Sequence, residues 1–242
     1  MKILSIGNSF SEDAQRYIRD IAKCDGEDLY VLNLCIGGCS LETHAKNIDE
    51  NGEVYLFHEN GIWSERTVSI EYGIGLEDWD VVTIQQVSSQ SFNQDSYYPY
   101  IYKVAEFVRK RAPRAKLLIH QTWAYEDNSE RVMNAVGDPS MAKMNSLVKA
   151  AYERAAREIH ADGIIPSGEL MMKLVESGIK KVHRDTAHAD LGVGRYAIGL
   201  LWYHVLTGKC VLDNSFADFD EPIPDEYVGI VKKCVESFDK II

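Results

Sequence analysis

Three polar residues near opposite ends of the chain have the types and spacing for nucleophilic catalysis. Ser9 lies in Gly7-Asn8-Ser9-Phe10-Ser11, directly after the short apolar run of residues 2–6. Far downstream, Arg184-Asp185-Thr186-Ala187-His188 places an acid three residues ahead of a histidine. A serine hydroxyl attacks poorly until a base takes its proton. An imidazole can be that base, and a carboxylate three residues away in a turn can reach its nearer nitrogen. It then orients the ring and stabilises the imidazolium. Ser9, His188 and Asp185 are therefore the candidate nucleophile, base and orienting acid. Taken singly, each also fits a plainer role as a turn, cap or surface residue.

These residues need elements that hold them. The apolar run closed by Gly7 reads as a buried strand. Residues 12–18 read as a helix, with Ser11 as N-cap and Glu12 and Asp13 in its first turn, where the helix dipole favours negative charge. Ser9 then sits on a tight turn at the carboxyl end of the first strand, the edge where open α/β sheets bind ligands. Further strands are expected at 29–34, 81–85, 116–120 and 163–165. Helices are expected at 41–51, 99–111, 139–160, 167–175, 190–206 and 224–241, with Ser167 and Asp190 as caps. Asn60-Gly61 between two β-prone runs is a hairpin signal, which makes 52–72 an insertion on the main sheet. Strands alternating with helices predict a parallel sheet covered on both faces. No linker or repeat interrupts 1–242, so one domain is expected.

Composition narrows the function classes. The 242 residues are 45% hydrophobic and carry a net charge of −11. A nucleic-acid partner needs a basic face, and the densest basic cluster, Arg109, Lys110, Arg111 and Arg114, closes a predicted helix where cations suit the dipole. No stretch approaches the length of a membrane span, and the start of the chain lacks the apolar region of a secretory signal. Cys24, Cys35, Cys39, Cys210 and Cys234 follow neither a zinc spacing nor a disulfide framework. The expectation is a cytoplasmic protein with reduced thiols, no metal site and no cofactor.

The ordered blocks resemble the SGNH, or GDSL-like, hydrolase superfamily. Gly7-Asn8-Ser9-Phe10-Ser11 is similar to its first block, which carries the nucleophile. Gly37-Gly38 after the second strand is similar to its second block, whose glycine N–H enters the oxyanion hole. Asp185-Thr186-Ala187-His188 is similar to its last block, Asp-x-x-His before a closing helix. The first block and Gln85-Gln86 look most like a bacterial branch of SGNH-like domains of unknown function. The resemblance implies a three-layer α/β/α domain with a five-stranded parallel sheet, order about 2-1-3-4-5, flavodoxin-like. It implies ester hydrolysis through an acyl-enzyme, with oxyanion donors from Ser9 and Gly38.

One block departs from the pattern. Where the superfamily offers an Asn after the third strand, this chain has Gln85-Gln86-Val87-Ser88-Ser89. Gln86 carries the same amide on a longer arm and is the expected third oxyanion donor. Gln85 is the next choice, and a shifted alignment selects Ser88 or Ser89. Gln85, together with Gln121 and Trp123 after the fourth strand, is expected to bind substrate, and Tyr125 lies on the same edge. His120, ending an apolar run, is expected in the core or behind the site. The favoured substrate is a small ester, a short acyl (acetyl) group on a carbohydrate. The alternatives are a thioesterase or lipase, an acyltransferase, and a non-catalytic carbohydrate-binding protein on a retained hydrolase fold.

Overall fold

A computed structural model describes residues 1–242. The first apolar run forms β1, Lys2–Gly7, buried from Ile3 onward. The other strands are β2 (Tyr30–Cys35), β3 (Tyr55–Glu59), β4 (Thr67–Val68), β5 (Val81–Ile84), β6 (Lys116–His120) and β7 (Gly163–Ile165). They form one sheet in the order β4-β3-β2-β1-β5-β6-β7. β1 is parallel to β2 and β5, and β6 and β7 continue in parallel. β3 runs antiparallel to β2, and β4 antiparallel to β3.

This corrects the expected five-stranded parallel sheet: the sheet has seven strands and is mixed. The 52–72 insertion supplies the two extra strands, the antiparallel hairpin of β3 and β4. It pairs with the outer edge of β2 and so covers backbone donors and acceptors that an edge would leave open. Asn60 (φ 55°) and Gly61 (φ 77°) turn the chain in the left-handed region, and Glu59 bridges Ile62 across them. The β-prone run that follows yields only the two residues of β4, because Ser69 caps a helix at Tyr72 N–H.

Ten helices complete the layers. They are α1 (Ser9–Gln15), α2 (Ile18–Cys24), α3 (Leu41–Glu50), α4 (Ile70–Ile74), α5 (Tyr100–Arg111), α6 (Glu130–Val136), α7 (Met141–Glu158), α8 (Ser167–Glu176), α9 (Val193–Thr207) and α10 (Asp225–Glu236). α9 is apolar around most of its circumference, as a helix enclosed by protein must be. Tyr196, Leu200, Trp202 and Tyr203 are all fully buried. α1 and α10 both pack against α9. No helix is long and apolar enough to cross a membrane.

Candidate active site

α1 begins earlier than expected. Its N-cap is Asn8 and not Ser11: Asn8 Oδ1 accepts from Phe10 N–H at 3.0 Å, and Ser11 Oγ accepts from Asn8 N–H at 3.1 Å. This reciprocal capping satisfies two donors that a helix start leaves free. It also makes Ser9 the first helical residue. Gly7 is required just before it, because a Cβ there would lie 2.2 Å from Ser11 Oγ.

Asn8 is itself held by a directional chain of hydrogen bonds. Gln85 Nε2 donates to Asn8 Oδ1 at 2.7 Å. Gln85 Oε1 can only accept, so His120 donates from Nδ1 at 2.8 Å. Burial holds the His120 imidazole down at about 3, hence neutral, so its Nε2 accepts from Ser167 Oγ at 3.1 Å. Ser167 is thus engaged with His120 and does not cap α8, whose N-cap is Pro166. Asn8 Nδ2 donates to Cys39 O at 3.0 Å and ties the end of β1 to the loop after β2.

The structure brings Ser9, His188 and Asp185 together across 179 residues of sequence. Ser9 Oγ is 2.9 Å from His188 Nε2, and His188 Nδ1 is 2.7 Å from Asp185 Oδ2. Asp185 Oδ1 also accepts from His188 N–H at 2.8 Å and from Ala187 N–H at 3.2 Å. Burial works against ionisation of Asp185. The N–H and ring of His188 and the N–H of Ala187 outweigh it and hold the carboxyl down at about 2. The turn that permits these bonds places Thr186 at φ 67°, a costly conformation for a β-branched residue. Glu126 N–H holds the Thr186 carbonyl at 2.9 Å.

A buried ion pair locks this loop to α1. Asp13 is completely buried and receives Arg184 Nη1 at 2.9 Å, Arg195 Nε at 2.8 Å and Ala189 N–H at 3.2 Å. Arg195 and Arg16 both bind Asp220, which extends the network. Asp190 accepts from the N–H groups of Gly192 and Val193 at the start of α9. Phe10 stacks on Trp123 with ring centroids 4.2 Å apart, and Trp123 Nε1 donates to Ala187 O.

A cavity of about 220 Å³ opens at Ser9, lined by Asn8, Ser9, Phe10, Gly38, Val87, Ser88, Ser89, Tyr125, Arg131, Ala187 and His188. The N–H groups of Ser9, Gly38 and Ser89 have no partner within the chain, as oxyanion donors require. Gly38 adopts φ 64°, a region that glycine enters without cost. A cavity of about 700 Å³ adjoins the first, sharing Ser89, Tyr125 and Arg131 and adding Phe92, Ser129, Glu130, Asn134, Ala135 and Thr186.

Several expected residues sit elsewhere. Gln86 is fully buried and its amide is spent. Its Oε1 accepts from Leu41 and Val87 N–H, and its Nε2 donates to Ser96 O and Oγ. It has no N–H left for an oxyanion, whereas Ser88 and Ser89, the alternatives at this block, line the cavity. Gln85, Gln121 and Trp123 are buried and line neither cavity. Gln85 and Trp123 act behind the site, on Asn8 and Ala187. Arg131, on α6, was not foreseen. The α6 segment carries only one short apolar repeat, Val132, Ala135 and Val136, and only Val132 is fully buried. Asp13, read as a first-turn acid, is instead the buried anchor.

Residues 2–222 match the family described as "Domain of unknown function (DUF4886)". A DUF4886 family protein from Bacteroides uniformis is 31% identical, with TM-score 0.89 over 98% of this chain and 93% of that one. A protein of Slackia heliotrinireducens described as a candidate SGNH hydrolase is 20% identical, with TM-score 0.60 over 84% of this chain and 97% of that one. A lipase/acylhydrolase from Enterococcus faecalis is 14% identical, with TM-score 0.52 over 84% and 93%. The last two likenesses show the fold alone. No curated protein matches the sequence. The chain belongs to the DUF4886 family, and its fold is similar to that of the SGNH-type hydrolase structures.

Proposed function

We propose that this protein is a serine ester hydrolase that works through an acyl-enzyme, removing a short acyl group from a small polar ester such as an acetylated carbohydrate. The unbroken relay Ser9 Oγ–His188 Nε2, His188 Nδ1–Asp185 Oδ2 carries the reading. Ser9 Oγ attacks the ester carbonyl carbon while His188 Nε2 takes its proton. The N–H groups of Ser9 and Gly38 receive the developing oxyanion. Collapse of the intermediate expels the alcohol, which takes the proton from His188. Water, activated by the same nitrogen, then attacks the acyl-enzyme, releases the acid and restores Ser9.

The cavity volumes support a short acyl group and a polar alcohol. About 220 Å³ at Ser9 suits an acetyl-sized group. The wider neighbour offers Ser129, Glu130, Asn134 and Arg131 as partners for sugar hydroxyls. Five free cysteines support a cytoplasmic setting, and the net charge of −11 favours a small-molecule partner over nucleic acid.

Hydrolysis of 4-nitrophenyl acetate by the wild type and by Ser9→Ala tests the proposal. Loss of the nucleophile lowers kcat by about 10⁴–10⁶. A fluorophosphonate adds one covalent mass to the wild type at Ser9 and none to the variant. Equal rates in the two proteins, with no adduct, refute it.

A further inference from the structure

Three metal-ligating side chains outside the Ser9 cleft converge from three elements. Glu12 comes from α1, Cys35 from the end of β2 and His58 from β3. Their ligand atoms all lie within 4.8 Å of one another. Glu12 Oε2 is 3.8 Å from His58 Nδ1 and 3.9 Å from Cys35 Sγ. The first is too long for a hydrogen bond. Both approach the roughly 3.3–3.7 Å between ligands of a tetrahedral ion with bonds of about 2.0–2.3 Å.

Two buried groups at this place lack partners. His58 is 3% exposed and neither ring nitrogen is hydrogen-bonded; Asn33 is 1% exposed and its Nδ2 is likewise free. Such groups cost free energy unless something meets them. Both residues, with Glu12, line a cavity of about 290 Å³ distinct from the Ser9 cleft. The two guanidinium groups in its wall, Arg16 and Arg195, are already held by Asp220 and Asp13, so they do not repel a cation unopposed.

We propose that Glu12, Cys35 and His58 bind a zinc-type divalent cation whose fourth position opens into this cavity, with Asn33 Nδ2 donating to the water bound there. Thiolate, imidazole and carboxylate form a zinc-favouring donor set, and the two anionic ligands neutralise the dication. Binding releases the Cys35 proton to solvent. No spacing motif encodes the site, because its ligands meet only when β3 pairs with β2. The ion clips α1, which carries Ser9, to the strand that leads into Gly37-Gly38.

Titration of the chelator-treated full chain with Co²⁺ tests this. One equivalent is expected to give a thiolate-to-cobalt charge-transfer band in the near ultraviolet. Saturating Zn²⁺ displaces the cobalt and raises Tm by about 5–10 °C. Cys35→Ser abolishes the band. Glu12→Gln, at a half-exposed position that tolerates change, weakens binding by about tenfold or more. Ser9→Ala keeps the band and the Tm shift, so this test stands or falls apart from the hydrolase reading. Absence of the band in the wild type overturns the proposal. So does a band that survives Cys35→Ser, which would place cobalt on exposed Cys24 or Cys210. If Cys35→Ser does not fold, Glu12→Gln decides, and unchanged affinity overturns the site.

Discussion

Asp13→Asn is the most informative single change, because it keeps the shape of a buried group while removing the charge that joins α1 to the Asp185–His188 loop. The wild-type carboxylate accepts from two guanidinium groups and one backbone N–H. In the variant an amide N–H faces a guanidinium N–H, so an attraction becomes a clash of donors. Breaking a fully buried pair by removing one partner costs about 3–5 kcal/mol. Two features reduce that figure here: the Arg184 side chain is 27% exposed, and Arg195 keeps Asp220. A loss of about 2–3 kcal/mol remains, which for a domain of this size lowers Tm by about 4–12 °C. Arg184 immediately precedes Asp185, so the same change loosens the loop that holds His188 on Ser9. A misplacement of about 1 Å can cost about 10² in rate. The expected kinetics are a fall in kcat of about 10–100-fold with KM little changed. Calorimetry and steady-state hydrolysis of 4-nitrophenyl acetate read the two effects separately. A Tm within about 2 °C of the wild type would refute the energetic argument. A normal kcat in a destabilised variant would refute the claim that this ion pair positions the base.

Three further outcomes follow from the geometry. Asp185→Asn removes the acceptor that fixes the His188 tautomer and is expected to lower kcat by about 10⁴; a change under tenfold would deny Asp185 that role. Gly38→Ala adds a Cβ that meets nothing within 4 Å, so its effect is conformational. Leaving φ 64° displaces an oxyanion donor and lowers kcat by about 10²–10³ with little change in KM, and an unchanged kcat would remove Gly38 from the hole. His44, His120 and His183 are held neutral by burial at about 3, 3 and 4. Their folded values lie below an unfolded value near 6.5, so their stability contribution is complete above about pH 6.5 and is lost as pH falls toward 4. Together they give a slope of up to about 4 kcal/mol per pH unit in that window. Urea unfolding at a series of pH values measures it, and flat stability between pH 7 and 5 would show these imidazoles to be protonated in the fold.

The chain order of Ser9, Gly38, Asp185 and His188 was legible because each lies at a strand end or in a short turn, where local sequence determines local shape. The roles of Gln85, Gln86 and Trp123 were not. An amide can donate or accept in any direction, and only tertiary neighbours decide which. Gln86 is claimed by Ser96 and the backbone of Leu41, while Gln85 is claimed by Asn8 and His120. The hairpin at 52–72 was legible from Asn60-Gly61, but its junction with the parallel sheet was not. Thr67–Val68 has two residues, too few to carry an alternating pattern, and β3 pairs with β2 because an open edge was there to be met. Asp13 looked like an ordinary first-turn acid because its partners, Arg184 and Arg195, lie more than 170 residues away.

The 179-residue separation of Ser9 and His188 also sets a timetable. On a ribosome adding about 5–20 residues per second, the segment with the nucleophile is made some 9–36 s before its base exists. The contact that closes this span is among the most distant in the chain, and distant contacts form late. A nascent chain therefore carries Ser9 as an unactivated alcohol throughout most of its synthesis. On the proposed mechanism Ser9 is activated in one step, when the segment bearing Arg184 and His188 docks on α1, so an arrested or prematurely terminated chain has no reactive serine to expose.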